Sequence, residues 1–215
     1  MKKIPLFAVL FAMLGMFFVA PAVFADDAAA VQVEEKPCVA TTPEPRPDKW
    51  WTDRHAQKLK EKAAMDQVDL VMIGDSITHG WEGGGKEVWK KYYADRNALN
   101  LGYSGDRTEH VLWRIENGEV DDISPKLITI MIGTNNIGHK SSTPAETVLG
   151  VKKIIAELRE KLPEAKILLL AVFPRGEKAD DYMRQQVNAI NEGLPALADD
   201  DIDLDDADDA DDEEE

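Results

Sequence analysis

Three short polar stretches hold residues that could do chemistry together: Gly74-Asp75-Ser76, Gly102-Tyr103-Ser104-Gly105-Asp106 and Gly133-Thr134-Asn135-Asn136. Cleaving an ester with a serine requires an exposed hydroxyl, a base for its proton, and donors aimed at the oxygen that becomes negative. Ser76 offers the hydroxyl, between an apolar run and a helix-like segment where backbone N–H groups are free. Gly105 has no Cβ, so its amide can come close to a substrate. Asn135 adds a side-chain amide donor.

The stretches follow apolar runs at 68–73, 98–101 and 127–132, and a fourth such run lies at 167–172. Helical patterns occupy 51–65, 87–94, 107–117, 144–162 and 182–192. The third has Asp106 as its expected N-cap, Glu109 three residues later and Gly118 as its stop. The fourth opens on Thr143-Pro144-Ala145-Glu146, a capping box with proline at the first helical position. Strands alternating with helices predict βαβ units and a parallel sheet. The runs at 127–132 and 167–172 fit strands covered on both faces. Active sites of such sheets form beyond the carboxyl ends of the strands. The expectation is an α/β domain, strands ordered 2-1-3-4, with Ser76, Gly105 and Asn135 along one edge.

With these residues in place, the sequence resembles the SGNH/GDSL hydrolases. Gly74-Asp75-Ser76 resembles their first block, Asn100 through Asp106 the second, and Gly133-Thr134-Asn135-Asn136 the third, usually G-x-N-D. The stretch with His110-Val111-Leu112-Trp113-Arg114 is similar to the catalytic subunits of intracellular platelet-activating-factor acetylhydrolases, and Pro174-Arg175-Gly176-Glu177-Lys178 extends the likeness. The resemblance covers 68–197. It implies a flavodoxin-like three-layer sandwich around a parallel sheet, and hydrolysis of small acyl (acetyl) esters; it is the expected export signal at 1–25 that favours extracytoplasmic esters such as acetylated carbohydrates. The resemblance makes Ser76 the nucleophile and gives the oxyanion hole to the Ser76 and Gly105 amides and the Asn135 side chain. Asn136 stands where the family commonly has Asp, although the acetylhydrolase-like branch also carries Asn. The family's closing Asp-x-x-His block, after a fifth strand, has no counterpart here: beyond Leu197 the sequence turns to Asp199-Asp200-Asp201-Ile202-Asp203. The expectation is a domain lacking its last strand, with the run at 167–172 as an exposed edge and Ser76 without its base. The alternative is an impaired, truncated relative or a non-enzymatic binding module.

Other signals lead elsewhere. His79, three residues after Ser76, shares a helix face with it but is poorly placed to take its proton. His110 reads as a packed helix residue, His55 and His139 as surface residues. Gly80 through Lys86 nearly matches a phosphate-binding loop but has Glu87 where Ser or Thr should follow, and no strand directly before it. There is neither a G-x-S-x-G elbow nor an H-E-x-x-H pair, so no metal or cofactor is expected. The single cysteine, Cys38, excludes an internal disulfide, and Lys36-Pro37 before it is not a lipid-attachment context.

Thirteen acidic side chains and no basic one fall in 199–215, so the net charge of −16 drops to −3 for the rest of the chain. The body therefore has no basic footprint for nucleic acid. The tail reads as a disordered, solvated block rather than a calcium loop, despite Asp201-x-Asp203-x-Asp205. Lys2-Lys3, an apolar run at 4–22 and Val23-Phe24-Ala25 read as a cleaved export signal at 1–25, the alternative being an uncleaved anchor. Cleavage implies a secreted or periplasmic protein with no remaining membrane span. Residues 26–49, with Pro37, Pro43, Pro45 and Pro47, read as a linker before a domain at 50–198. Nothing in the sequence argues for or against an oligomer.

Overall fold

The computed structural model describes residues 38–198 and the backbone of 202–205. The expected signal, the first part of the expected linker and the acidic tail apart from 202–205 lie outside the described residues. In chain order the described elements are α1 (Lys49–Ala63), β1 (Leu70–Gly74), α2 (Ser76–His79), α3 (Lys86–Tyr92), β2 (Ala98–Gly102), α4 (Thr108–Glu116), β3 (Leu127–Met131), α5 (Thr134–Gly138), α6 (Pro144–Lys161), β4 (Lys166–Leu170), α7 (Tyr182–Gly193) and β5 (Ile202–Asp205).

The strands form one parallel sheet in the order β2-β1-β3-β4-β5. The registers Gly74↔Gly102 and Gly74↔Met131 bring the carboxyl ends of β2, β1 and β3 level. Every residue of β1 is buried, as expected of a strand covered on both faces. The longest described helix, α6, buries one apolar stripe. In α6, Val151, Ile154, Ile155 and Leu158 recur at three- and four-residue spacing and are buried, and α6 packs on both α4 and α7. Each such side chain contributes about 1.5–3 kcal/mol by leaving water. The Thr143–Glu146 capping box forms as expected, with Thr143 Oγ1 accepting from the Glu146 amide at 3.2 Å. No described helix is long and apolar enough to cross a membrane.

Three expectations are corrected. The sheet does not lack a last strand, because β5 pairs with β4 from Ile167↔Ile202 to Leu170↔Asp205. The edge of β4 is therefore covered, and this part of the acidic segment belongs to the sheet. Asp106 does not cap α4. Its carboxylate accepts from the Trp51 indole at 2.7 Å and from Arg114 Nε at 2.9 Å, and the N-cap is Arg107. His55 is not a surface residue; it is buried and stacked with Trp51.

The described part of the expected linker is a strap packed on the body. Ala40 is fully buried, Thr108 Oγ1 donates to its carbonyl at 2.9 Å, and the Glu44 amide donates to the Glu109 carbonyl at 3.1 Å. Proline excludes a long α-helix here without excluding order.

Candidate active site

Gly74 ends β1, and the chain turns at Asp75 into α2, with Ser76 as the first helical residue and exposed to solvent. The Asp75 carboxylate accepts from the Ile77 amide at 2.9 Å and so fixes the turn. Burial raises the Asp75 carboxyl above its usual range, against the pull of that amide bond. α2 sits directly on the end of β2: a Cβ on Gly102 would lie 2.2 Å from the His79 nitrogen, so only glycine permits this approach.

After β2 comes a tight turn, with the Asp106 amide donating to the Tyr103 carbonyl at 3.0 Å. Gly105 has φ +80°, a left-handed value that favours glycine. Beneath the turn lies a buried network. Asp106 is held by Trp51 and Arg114, Glu119 by Arg114 and the Tyr103 hydroxyl, and the Arg114 guanidinium lies 3.9 Å from the Tyr103 ring centroid. With these partners Asp106 and Glu119 are paired, and leaving either alone would cost several kcal/mol, about 3–5.

Asn135 lies in α5, just beyond β3, and joins the other two stretches. Its Nδ2 donates to the Asp106 carbonyl at 2.9 Å and lies 3.4 Å from Asp75 Oδ2. Asp75 precedes Ser76 and Asp106 follows Gly105. One amide thus ties together the three stretches that carry Ser76, Gly105 and Asn135. Asn136 points the other way and is fully buried. Its Oδ1 accepts from the Thr108 amide at 3.1 Å, and its Nδ2 donates to Glu109 Oε2 at 3.1 Å. It thereby satisfies a first-turn N–H of α4 that no intrahelical partner can reach. Asp at this position would set two carboxylates against each other, which accounts for Asn here.

Among the described residues, the hydrogen bonds of His79 and His110 go to residues other than Ser76. His79 Nδ1 lies 2.9 Å from Ser104 Oγ and accepts from the Ser104 amide at 3.2 Å. His110 is buried, and its Nδ1 accepts from the Arg107 amide at 3.1 Å. Burial, followed by the charges of Arg107 and Arg46, pushes His110 down to about 3. His139 is exposed, as expected, on the rim of a cavity of about 240 Å³ that reaches Gly105, Arg107 and the strap at Arg46. Arg46 and the pairing of His79 with Ser104 carry no signal in the sequence. Neither is visible as spacing, since their partners lie 58 and 25 residues away. Among the described residues no group of three or more His, Cys, Asp or Glu could hold a metal ion.

The carboxyl edge of the parallel sheet thus gathers three glycine-bearing turns, the first leading into Ser76 and the third into Asn135. The chain belongs to the GDSL-like lipase/acylhydrolase family, whose model matches residues 72–215. It is 37% identical over 163 residues to the platelet-activating factor acetylhydrolase IB subunit beta homolog of Drosophila melanogaster, covering 75% of this chain and 69% of that one. It is 34% identical over 161 residues to the human IB subunit alpha1, covering 74% and 67%. The solved structure of a GDSL-like lipase from Bacteroides thetaiotaomicron has the same fold, with a TM-score of 0.54 at 21% identity over 66% of this chain and 71% of that one.

Proposed function

We propose that the chain hydrolyses small acyl esters, acetyl esters first, with Ser76 as nucleophile. Ser76 Oγ attacks the carbonyl carbon, and the carbonyl oxygen becomes an oxyanion held by the Ser76 and Gly105 amides and Asn135 Nδ2. The alcohol leaves with a proton, and water then cleaves the acyl–serine ester, releasing the acid and restoring the hydroxyl. Among the described residues, no histidine is hydrogen-bonded to Ser76; His79 and His110 commit Nδ1 to backbone amides. The observation that carries this reading is the Asn135 amide, bonded at 2.9 Å to the residue after Gly105 and 3.4 Å from the residue before Ser76.

The acetyl group rests on the relatives named acetylhydrolases. The charged start, apolar run and small-residue site at 1–25 support export to the periplasm or beyond, and an exported enzyme would meet acetylated carbohydrate. The test is release of acetate from an acetylated oligosaccharide and from p-nitrophenyl acetate, each with Ser76→Ala beside it. Loss of both activities in the variant is expected. Turnover of the small ester alone would remove the carbohydrate, and undiminished turnover in the variant would remove Ser76.

A further inference from the structure

Ser104, the residue before Gly105, is gripped from two sides. Arg46 Nη1 of the strap donates to its carbonyl at 2.8 Å. His79 Nδ1 accepts from its amide at 3.2 Å, with its hydroxyl at 2.9 Å. A backbone N–H can only donate, so Nδ1 must carry a lone pair and the imidazole its proton on Nε2. The Ser104 hydroxyl then donates to the same lone pair. Trp50 ties the two grips together: its ring is stacked with His79 at 6.5 Å between centroids, and the Arg46 guanidinium lies 5.1 Å from its centroid. His79 also closes α2, the helix that Ser76 opens, and its amide donates to the Asp75 carbonyl at 2.9 Å.

We propose that neutral His79 is a positioning residue: by accepting from Ser104 it fixes the Gly105 amide relative to Ser76, and protonation of His79 releases that loop. The inference rests on the reading of Gly105 as an oxyanion donor. On protonation, Nδ1 becomes an N–H facing the Ser104 N–H, and attraction turns to repulsion. The charged groups facing His79 are Arg54 and Lys58 of α1 and Glu82 of the turn after α2. Burial, then Arg54, holds the imidazole below its usual value; Glu82 opposes this and Lys58 adds to it. Glu82 is itself bonded by both cations, at 2.7 and 2.9 Å from Arg54 and 2.6 Å from Lys58. The clamp therefore stays closed at neutral pH and opens on the acid side of the ordinary histidine range.

The experiment has two readouts on the full chain. Nitrogen-15 NMR reports the His79 tautomer and the Ser104 and Gly105 amide shifts through an acid titration. Hydrolysis of p-nitrophenyl acetate reports kcat and KM for His79→Ala and for His79→Gln, whose side-chain oxygen accepts without titrating. The expected result is an unprotonated Nδ1 at neutral pH, with both amides moving as His79 titrates. His79→Ala should lower kcat about tenfold with a smaller change in KM, less than the hundredfold or more lost with a whole oxyanion donor. His79→Gln should restore much of that loss and remove the His79 step from the kcat profile. A proton on Nδ1, or amides indifferent to His79 in a chain that turns over the ester, would overturn the clamp. Amides that follow His79 in a chain that turns over no ester would instead overturn the oxyanion role of Gly105, and the positioning claim with it.

Discussion

Asn135 Nδ2 lies 2.9 Å from the Asp106 carbonyl oxygen, so a side chain beyond β3 holds the backbone of the loop beyond β2. The same amide is a proposed donor to the oxyanion. Asn135→Ala removes both contributions at once. The expected result is a kcat lower by about 10²–10³, the usual cost of one such donor, with KM changed far less. Steady-state kinetics on p-nitrophenyl acetate check it, and an equal loss through KM alone would assign Asn135 to ground-state binding.

Asn136 has a different task and should show a different phenotype. Asn136→Asp replaces an N–H donor to the buried Glu109 carboxylate by a second acceptor. A fall in unfolding free energy of about 2–3 kcal/mol is expected from the lost bond and the unpaired buried acceptor. Adding Glu109→Gln supplies a donor again and should recover part of it. Urea unfolding of the two variants is the check; an unchanged midpoint in Asn136→Asp would contradict the assignment.

His110 makes acid stability a test of the same region. Its folded value, about 3, lies below the ordinary histidine value of 6.5. Below that ordinary value the unfolded chain takes up a proton that the folded chain refuses, so stability falls as pH falls until the folded value is reached. One such proton contributes a slope of about 1.4 kcal/mol per pH unit. His55, His79 and His139 are also lowered and add to the slope. His110→Asn should flatten the curve between about pH 6 and pH 4 by one proton's worth. Unfolding free energies across that range measure it, and a slope equal to the parent's would contradict the buried neutral imidazole.

The parallel order and the edge carrying Ser76, Gly105 and Asn135 were legible because each depends on local signals: apolar runs, turn glycines and a capping box. What was not legible depends on partners distant in sequence. Asp106 looked like a cap because Trp51, 55 residues away, cannot be seen to claim its carboxylate. His79 invited comparison with Ser76 because they are close in the chain, yet its ring lies against Ser104. The strap read as a linker because its prolines speak only against helix, while Arg46 and Ala40 are held by residues 58 and 68 positions away. In β5, Ile202-Asp203-Leu204-Asp205 alternates with the period of a strand, a signal outweighed by the charge around it.

In the proposed reaction, acyl transfer passes through Ser76. Mass spectrometry of the chain quenched during turnover of p-nitrophenyl acetate, followed by peptide mapping, reads this directly. An acetyl group is expected on the peptide containing Ser76 and is expected to be absent from the Ser76→Ala variant. An acetyl group mapped to another side chain, with ester turnover undiminished in Ser76→Ala, would contradict it.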